Sequence, residues 1–317
     1  MVNTPSFGNR MVLGAGLVLA GAIFSSSKAV IIKLAYAFDI NAVSLLSLRM
    51  LYSFPVFLVI GIWAYLRYRP GLSDKEWGQL ILVGLLGYYL AALFDFIGLQ
   101  YITAGLERLI VFAYPTLVLL ITRIIWNRSI TQIQWAALIL TYLGIFLAMF
   151  GDIEIPDPTA LYLGAFWVFL CAFAYALHLI GSEFLLPKMG VAVFSSWAMV
   201  FASIGVFVHA WFNAETVQIF NHPKEVYQLA GLLAVITTVL PPYLMSAGIS
   251  RLGVGNAAIL GSVGPVSTLI LAWWFLDESL SPLQMAGASV VMIGVFIIGA
   301  QKRRQASSAE KKKFGTD

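Results

Sequence analysis

Charge is scarce in this chain. Of its 317 residues only 11% are Asp, Glu, Lys or Arg, against roughly a quarter in an ordinary soluble domain. With 60% hydrophobic residues and a mean hydropathy of +0.89, a soluble fold is excluded. The apolar/polar alternation of barrel strands, over about ten residues each, is also missing. A single cysteine, Cys171, leaves no partner for an intramolecular disulfide, and its apolar surroundings read as packing. Catalytic constellations are absent too: no His-Glu-x-x-His, no Gly-x-Ser-x-Gly elbow, no P-loop, no intramembrane aspartate pair. Gly14-Ala15-Gly16 opens a helix with no strand before it, so it reads as helix packing. The expectation is a non-enzyme with no cofactor and no metal.

What is present is a succession of apolar runs, each long enough for a helix to cross a hydrocarbon core of about 30 Å. Ten spans are expected, at 11–36, 43–66, 78–100, 104–126, 131–150, 160–183, 192–212, 227–250, 254–276 and 281–300. The first run is too long for a cleaved signal peptide and reads as a retained helix. Turn chemistry marks the boundaries: Asp39–Asn41, Arg69-Pro70-Gly71, Gly151-Asp152 through Pro158, Pro187, Asn221-His222-Pro223, and Gly253 with Gly255. Threading ten spans puts Arg10, Arg67, Arg69, Lys75, Arg128, Lys188, Arg251 and the Lys302-Arg303-Arg304 tail on one side. That side is expected to be cytoplasmic, with both termini on it. The net charge of +4 is therefore explained by orientation in the bilayer, and no nucleic-acid partner is expected.

The chain also contains itself twice. Laid over Gly248–Ile297 without a gap, Gly98–Leu147 matches Gly98 to Gly248, Gly105 to Gly255, Pro115 to Pro265, Ser129 to Ser279, Gln134 to Gln284 and Gly144 to Gly294. The offset is 150 residues, or five spans. An odd number of spans makes the halves cross the membrane in opposite senses. The expected architecture is all-α: residues 1–152 and 153–301 as two inverted five-helix repeats and 302–317 as a basic cytoplasmic tail. Inverted repeats place a solute site near the midplane between the halves, and one half rocks against the other.

Ionisable groups inside spans are costly and need a reason. Lys28, Arg49, Asp95, Glu107 and Arg108 cluster in the first half. For Arg49, Glu107 and Arg108 an ion-pair network between helices is the leading expectation, with solute contact the other. Asp95 is open between pairing, binding a substrate amine and carrying a proton. Lys28 follows the polar break Phe24-Ser25-Ser26-Ser27, and the repeat register sets it opposite His178, a candidate proton relay. His209 and His222 read as structural. Pro115, Pro265 and the Pro241-Pro242 pair interrupt their helices and are candidate hinges around one cavity. Tyr88, Tyr89, Phe94, Tyr114, Trp167, Tyr175 and Tyr243 lie deep in spans beside these breaks, where buried hydroxyls need partners, and complete the candidate cavity set with Lys28, Asp95 and His178.

The segment Phe96–Gly105 through Pro115, and Phe275-Leu276-Asp277-Glu278-Ser279-Leu280-Ser281 with Gln284 and Gly287, resemble the two EamA-type repeats of the drug/metabolite transporter superfamily. Within it the chain is most similar to YddG-type exporters of aromatic and other amino acids. The first repeat departs from the pattern at Asn127-Arg128 and Ala137. The resemblance implies efflux of a small solute, an amino acid or related metabolite, across an inner membrane, with proton coupling open and no oligomer required. A sugar-phosphate or organic-anion exchanger is the alternative; an intramembrane enzyme or receptor is the reading from a different class.

Overall fold

The computed structural model describes residues 7–127, 129–151, 157–213, 219–252, 260, 263–294 and 296–297, the first four by backbone alone. Arg128, Asp152, Gly253, Gly255 and the tail 302–317, all named in the expectations above, lie outside the described residues.

Among the described residues every regular element is helical. Helices α1 (Phe7–Ser26) and α2 (Lys28–Tyr36) are joined at Ser27. Helix α3 (Ala42–Tyr68) begins at Asn41, whose side chain accepts the Ser44 N–H. A reciprocal capping box of Ser73 and Glu76 starts α4 (Asp74–Gly84), and a π-helical segment, Leu85–Leu90, leads into α5 (Ala91–Gly98). Thr103 caps α6 (Ala104–Val111); α7 (Tyr114–Trp126) follows, and a Thr131–Gln134 capping box opens α8 (Gln132–Phe150). The chain continues through α9 (Pro158–Phe212), α10 (Lys224–Leu232), a second π segment at Leu233–Val239, α11 (Leu240–Leu252) and α12 (Gly264–Leu276) to α13 (Pro282–Gly294).

Seven helical runs among the described residues are long and apolar enough to cross a membrane, with α12 and α13 as shorter apolar helices. Helix α9 has 55 residues, about 80 Å if straight and more than twice the hydrocarbon thickness of about 30 Å. It is broken at Gly190, where φ is 72°, a value glycine adopts without a Cβ penalty. The expected turn at Pro187 is therefore corrected: Pro187 lies inside the helix and Gly190 makes the joint between the sixth and seventh expected spans. The ninth and tenth expected spans extend from α12 and α13 into residues outside those described.

Two reciprocal contacts tie the halves together. A Cβ on Gly98 would strike Val168 and the Gly164 carbonyl; a Cβ on Gly248 would strike Val18 and the Gly14 carbonyl. Each residue of the first set lies 150 positions from its counterpart in the second, so the contact between α5 and α9 is repeated, with the halves exchanged, between α11 and α1. The same exchange relates Gly144 against Gly287, and Gly294 against Ala137 and Thr141, between α8 and α13. This reciprocity is that of a two-fold axis relating the duplicated segments. The π segments obey it as well, since they overlap when shifted by 150 residues.

Large apolar side chains cover the outside, including Ile124 at 82% and Trp211 at 81% exposure. Exposed apolar surface on this scale marks a contact with lipid or a partner, and the length and hydropathy of the helical runs make lipid that contact.

Candidate functional site

A cavity of about 310 Å³ lies between the halves. Repeat-equivalent positions supply its walls. Ser25 and Tyr175 both line it, as do Arg49 and Met199, and Tyr88 and Thr238; the members of each pair are 150 residues apart. The scaffold is duplicated and the chemistry is not, for one half contributes a guanidinium where the other contributes a thioether. Arg108, Pro241 and Pro242 complete the part of the lining that bears on function.

The helix break foreseen at the serines shapes one wall. Helix α1 ends at Ser26 and α2 starts at Lys28, and the Ser27 hydroxyl donates to the Phe24 carbonyl at 2.8 Å. The Arg108 terminal amino group Nη2 donates to the carbonyls of Ser25 at 3.3 Å and Ser26 at 3.4 Å. Its Nε donates to the Thr268 hydroxyl at 3.0 Å, which itself donates to the Ser26 carbonyl at 3.0 Å. Arg108 thus joins α1, α6 and α12 at the cavity wall.

Arg49 is held in the same manner by another threonine. Its Nε donates to Thr238 Oγ1 at 2.7 Å, while the Thr238 hydroxyl donates to the Leu233 carbonyl at 3.1 Å within the π segment. The guanidinium carbon lies 5.7 Å from the centroid of the Phe96 ring, a cation–π contact.

Behind the wall is a cluster of charges. Lys28 Nζ lies 2.5 Å from Asp95 and 3.8 Å from Glu107, and Arg108 Nε lies 3.9 Å from Glu107. Both carboxylates are fully buried, they lie against each other, and beyond these ion pairs none of their oxygens receives a well-formed hydrogen bond among the described residues. The expected network of Arg49, Glu107 and Arg108 is corrected in its membership: Lys28 and Asp95 form its centre, and Arg49 makes no ion pair with any described residue.

The aromatic candidates divide. Tyr88 and Tyr175 line the cavity, with His178 packed behind them at ring separations of 4.8 Å and 5.8 Å. His178 Nδ1 pairs with the Val83 carbonyl at 2.8 Å, and its ring occupies the space where Gly87 has no side chain. Tyr114 stands edge-on to Tyr175 at 5.2 Å. Tyr89 instead pairs its hydroxyl with His209 Nδ1 at 3.0 Å, and Phe94 packs on Trp167 at 5.5 Å. The Tyr243 hydroxyl is buried beside Ser196, with no well-formed hydrogen bond among the described residues. Of the ten predicted cavity residues, Tyr88 and Tyr175 are in this cavity's lining; Lys28, Tyr89, Phe94, Asp95, Tyr114, Trp167, His178 and Tyr243 stand outside it.

Pro115 and Pro265 sit at helix starts. Helix α6 stops at Val111 and α7 resumes at Tyr114, with Pro115 in its first turn; Pro265 holds the same place in α12. Pro241 and Pro242 open α11 directly after the second π segment. In a first helical turn proline forfeits no helical hydrogen bond, so Pro115 and Pro265 stand at junctions between helices, whereas Pro241 and Pro242 lie inside the continuous helical run Lys224–Leu252 and interrupt its hydrogen bonding beside the π segment.

A helical membrane protein with duplicated halves and, between them, a cavity that carries arginine, serine, threonine and tyrosine side chains has the build of a solute transporter. The chain belongs to the EamA-like transporter family, whose model matches it twice, over residues 12–150 and 162–300. It is 30% identical over 307 residues to the uncharacterized transporter YcbK of Bacillus subtilis, covering 94% of this chain and 95% of YcbK. It is 24% identical to the uncharacterized transporter sll1319 of Synechocystis, covering 93% and 95% of the two chains. One crystal structure superposes with a TM-score of 0.60 over 93% of this chain and 97% of that one, at 14% identity, which speaks to the fold alone.

Proposed function

We propose that this transporter exports amino acids, aromatic and other neutral ones among them, and related small metabolites across an inner membrane by alternating access. One observation carries the reading: the cavity wall is made at repeat-equivalent positions, Ser25 with Tyr175, Arg49 with Met199 and Tyr88 with Thr238. A site on the axis between two similar halves can be exposed to either side by the same motion run in opposite directions. In this reading residues 1–152 and 153–301 cross the membrane in opposite senses, the basic loops and both termini are cytoplasmic, and Pro115, Pro241, Pro242 and Pro265 mark the flexing points. Both halves belong to one chain, so a monomer suffices. The tyrosines at the wall suit an aromatic or apolar side chain, and the guanidiniums of Arg49 and Arg108 suit a carboxylate. A coupled proton has two candidate carriers, the Asp95–Glu107 pair and His178.

The second reading, a sugar-phosphate or organic-anion exchanger, is favoured by the same two guanidiniums. Counterflow in proteoliposomes separates the two. Labelled amino acid accumulating transiently against unlabelled internal amino acid supports the first; exchange of phosphate esters alone rejects it.

A further inference from the structure

We infer that, among the solutes of the proposed function, the cavity prefers a carboxylate with net negative charge over a zwitterion, with Arg49 as its anchor and Thr238 as the residue that positions Arg49. The inference rests on the reading of this cavity as the solute site.

The cations at the cavity are not equally matched. Lys28, Arg49 and Arg108 stand near two carboxylates, Asp95 and Glu107, while a third buried carboxylate, Glu278, is taken up by the N–H groups of Ala104 and Gly105. Lys28 and Arg108 share those carboxylates, whereas Arg49 has none within ion-pair distance among the described residues. A cation 7% exposed and unpaired in a membrane interior is strongly disfavoured. Its imbalance is relieved when a single negative charge enters the cavity it lines. A zwitterion brings no net charge and leaves its ammonium group facing two guanidiniums.

The geometry fits a carboxylate in particular. Thr238 occupies the Nε edge of Arg49, and the Thr238 hydroxyl proton is committed to the Leu233 carbonyl, so its oxygen is fixed as an acceptor. Phe96 covers one face of the guanidinium. The two terminal amino groups are left without a partner among the described residues on a side chain that lines the cavity, and such a fork grips a carboxylate through two parallel hydrogen bonds. The scaffold does not require this pair, since the positions 150 residues away hold Met199 and Tyr88. Tyr88, Phe112, Tyr175, Met199 and Met245 give the wall apolar and aromatic surface beside Ser25, Ser26 and Thr237.

A matched pair of probes tests the charge alone: phenylalanine, a zwitterion, and phenylpyruvate, the same skeleton with net charge −1, in proteoliposome counterflow with the full-length protein. The expected KM is about tenfold lower for phenylpyruvate. Arg49→Gln is expected to raise it by about a hundredfold, with Arg49→Lys in between because the bidentate fork is lost and the charge kept. Thr238→Val is expected to raise KM by about five- to tenfold at little cost in maximal rate, and Thr238→Ser to restore it. As a readout independent of flux, phenylpyruvate should raise the melting temperature of the purified protein and not that of Arg49→Gln. Equal or better exchange of phenylalanine, with KM unmoved in Arg49→Gln, overturns the inference and leaves the transport reading standing. Exchange of neither probe nor of any other amino acid, without stabilisation by phenylpyruvate, overturns both.

Discussion

Glu278 accepts the backbone N–H of Ala104 at 2.8 Å through one carboxylate oxygen, and that of Gly105 at 3.1 Å through the other. The two ends of this contact belong to opposite halves of the chain. A carboxylate on the first N–H groups of α6 satisfies donors that the helix itself cannot and sits favourably at the positive end of its dipole. The residue 150 positions earlier is Arg128, which cannot accept a hydrogen bond, so this clasp has no counterpart of the same chemistry. Glu278→Gln should weaken it by about 1–2 kcal/mol. Hydrogen exchange of the amides of residues 104–106 should accelerate by about tenfold in this variant; unchanged exchange would show that the clasp does not hold the halves.

The Gly144–Gly287 crossing predicts an asymmetry between glycines. A Cβ at Gly144 would meet the backbone of Gly287 and Val291, which cannot move aside, whereas one at Gly16 meets nothing within 4 Å. Gly144→Ala should therefore cost about 1–3 kcal/mol through overpacking, while Gly16→Ala should be neutral or slightly stabilising. Thermal unfolding of the detergent-purified variants decides this.

Lys28 and Asp95 should behave as a unit. Asp95→Asn leaves a largely buried ammonium with Glu107 as its remaining ion-pair partner at 3.8 Å, and the expected loss is about 3 kcal/mol. The double change Lys28→Met with Asp95→Asn should recover much of it. A double variant as unstable as the sum of the two single ones would show that the pair is not coupled.

The pH dependence of exchange should follow the carboxylates and not the histidine. Glu107 has no well-formed hydrogen bond, lies against Asp95, and is held loosely by Lys28 and Arg108. A proton there has an acceptor beside it. His178 has Nδ1 engaged by Val83 and is packed by Tyr88, Tyr175 and Phe194. Glu107→Gln is expected to flatten the pH profile of flux and His178→Gln to leave its shape intact. The reverse pattern would move the coupling to His178.

Much of the framework was legible because it is local or periodic. Apolar run lengths marked the spans, the Ser25–Ser27 break marked the junction of α1 and α2, and Gly98, Gly144 and Gly248 marked the duplication and turned out to be its close-packing points. What escaped depends on distant partners. Arg49 was assigned to an ion-pair network because nothing near it in sequence reveals Thr238, 189 residues away. The acidic turn at Glu278 was visible as a family feature, but not its contact with α6, 173 and 174 residues earlier. The π segments were invisible as well, since a widened turn leaves the apolar pattern of Leu85–Leu90 and Leu233–Val239 unbroken. The joint at Gly190 was misplaced to Pro187, where residue type outweighed a backbone angle open to glycine.

Side-specific labelling of a cysteine at position 25 tests the central claim most directly. Ser25 lines the cavity, and Cys171, the one native thiol, is buried and can be replaced by serine. In sealed vesicles, a membrane-impermeant thiol reagent should label Ser25→Cys from either side, with the balance between sides shifting when transported solute is present. Labelling from one side only, indifferent to solute, would contradict alternating access through this cavity.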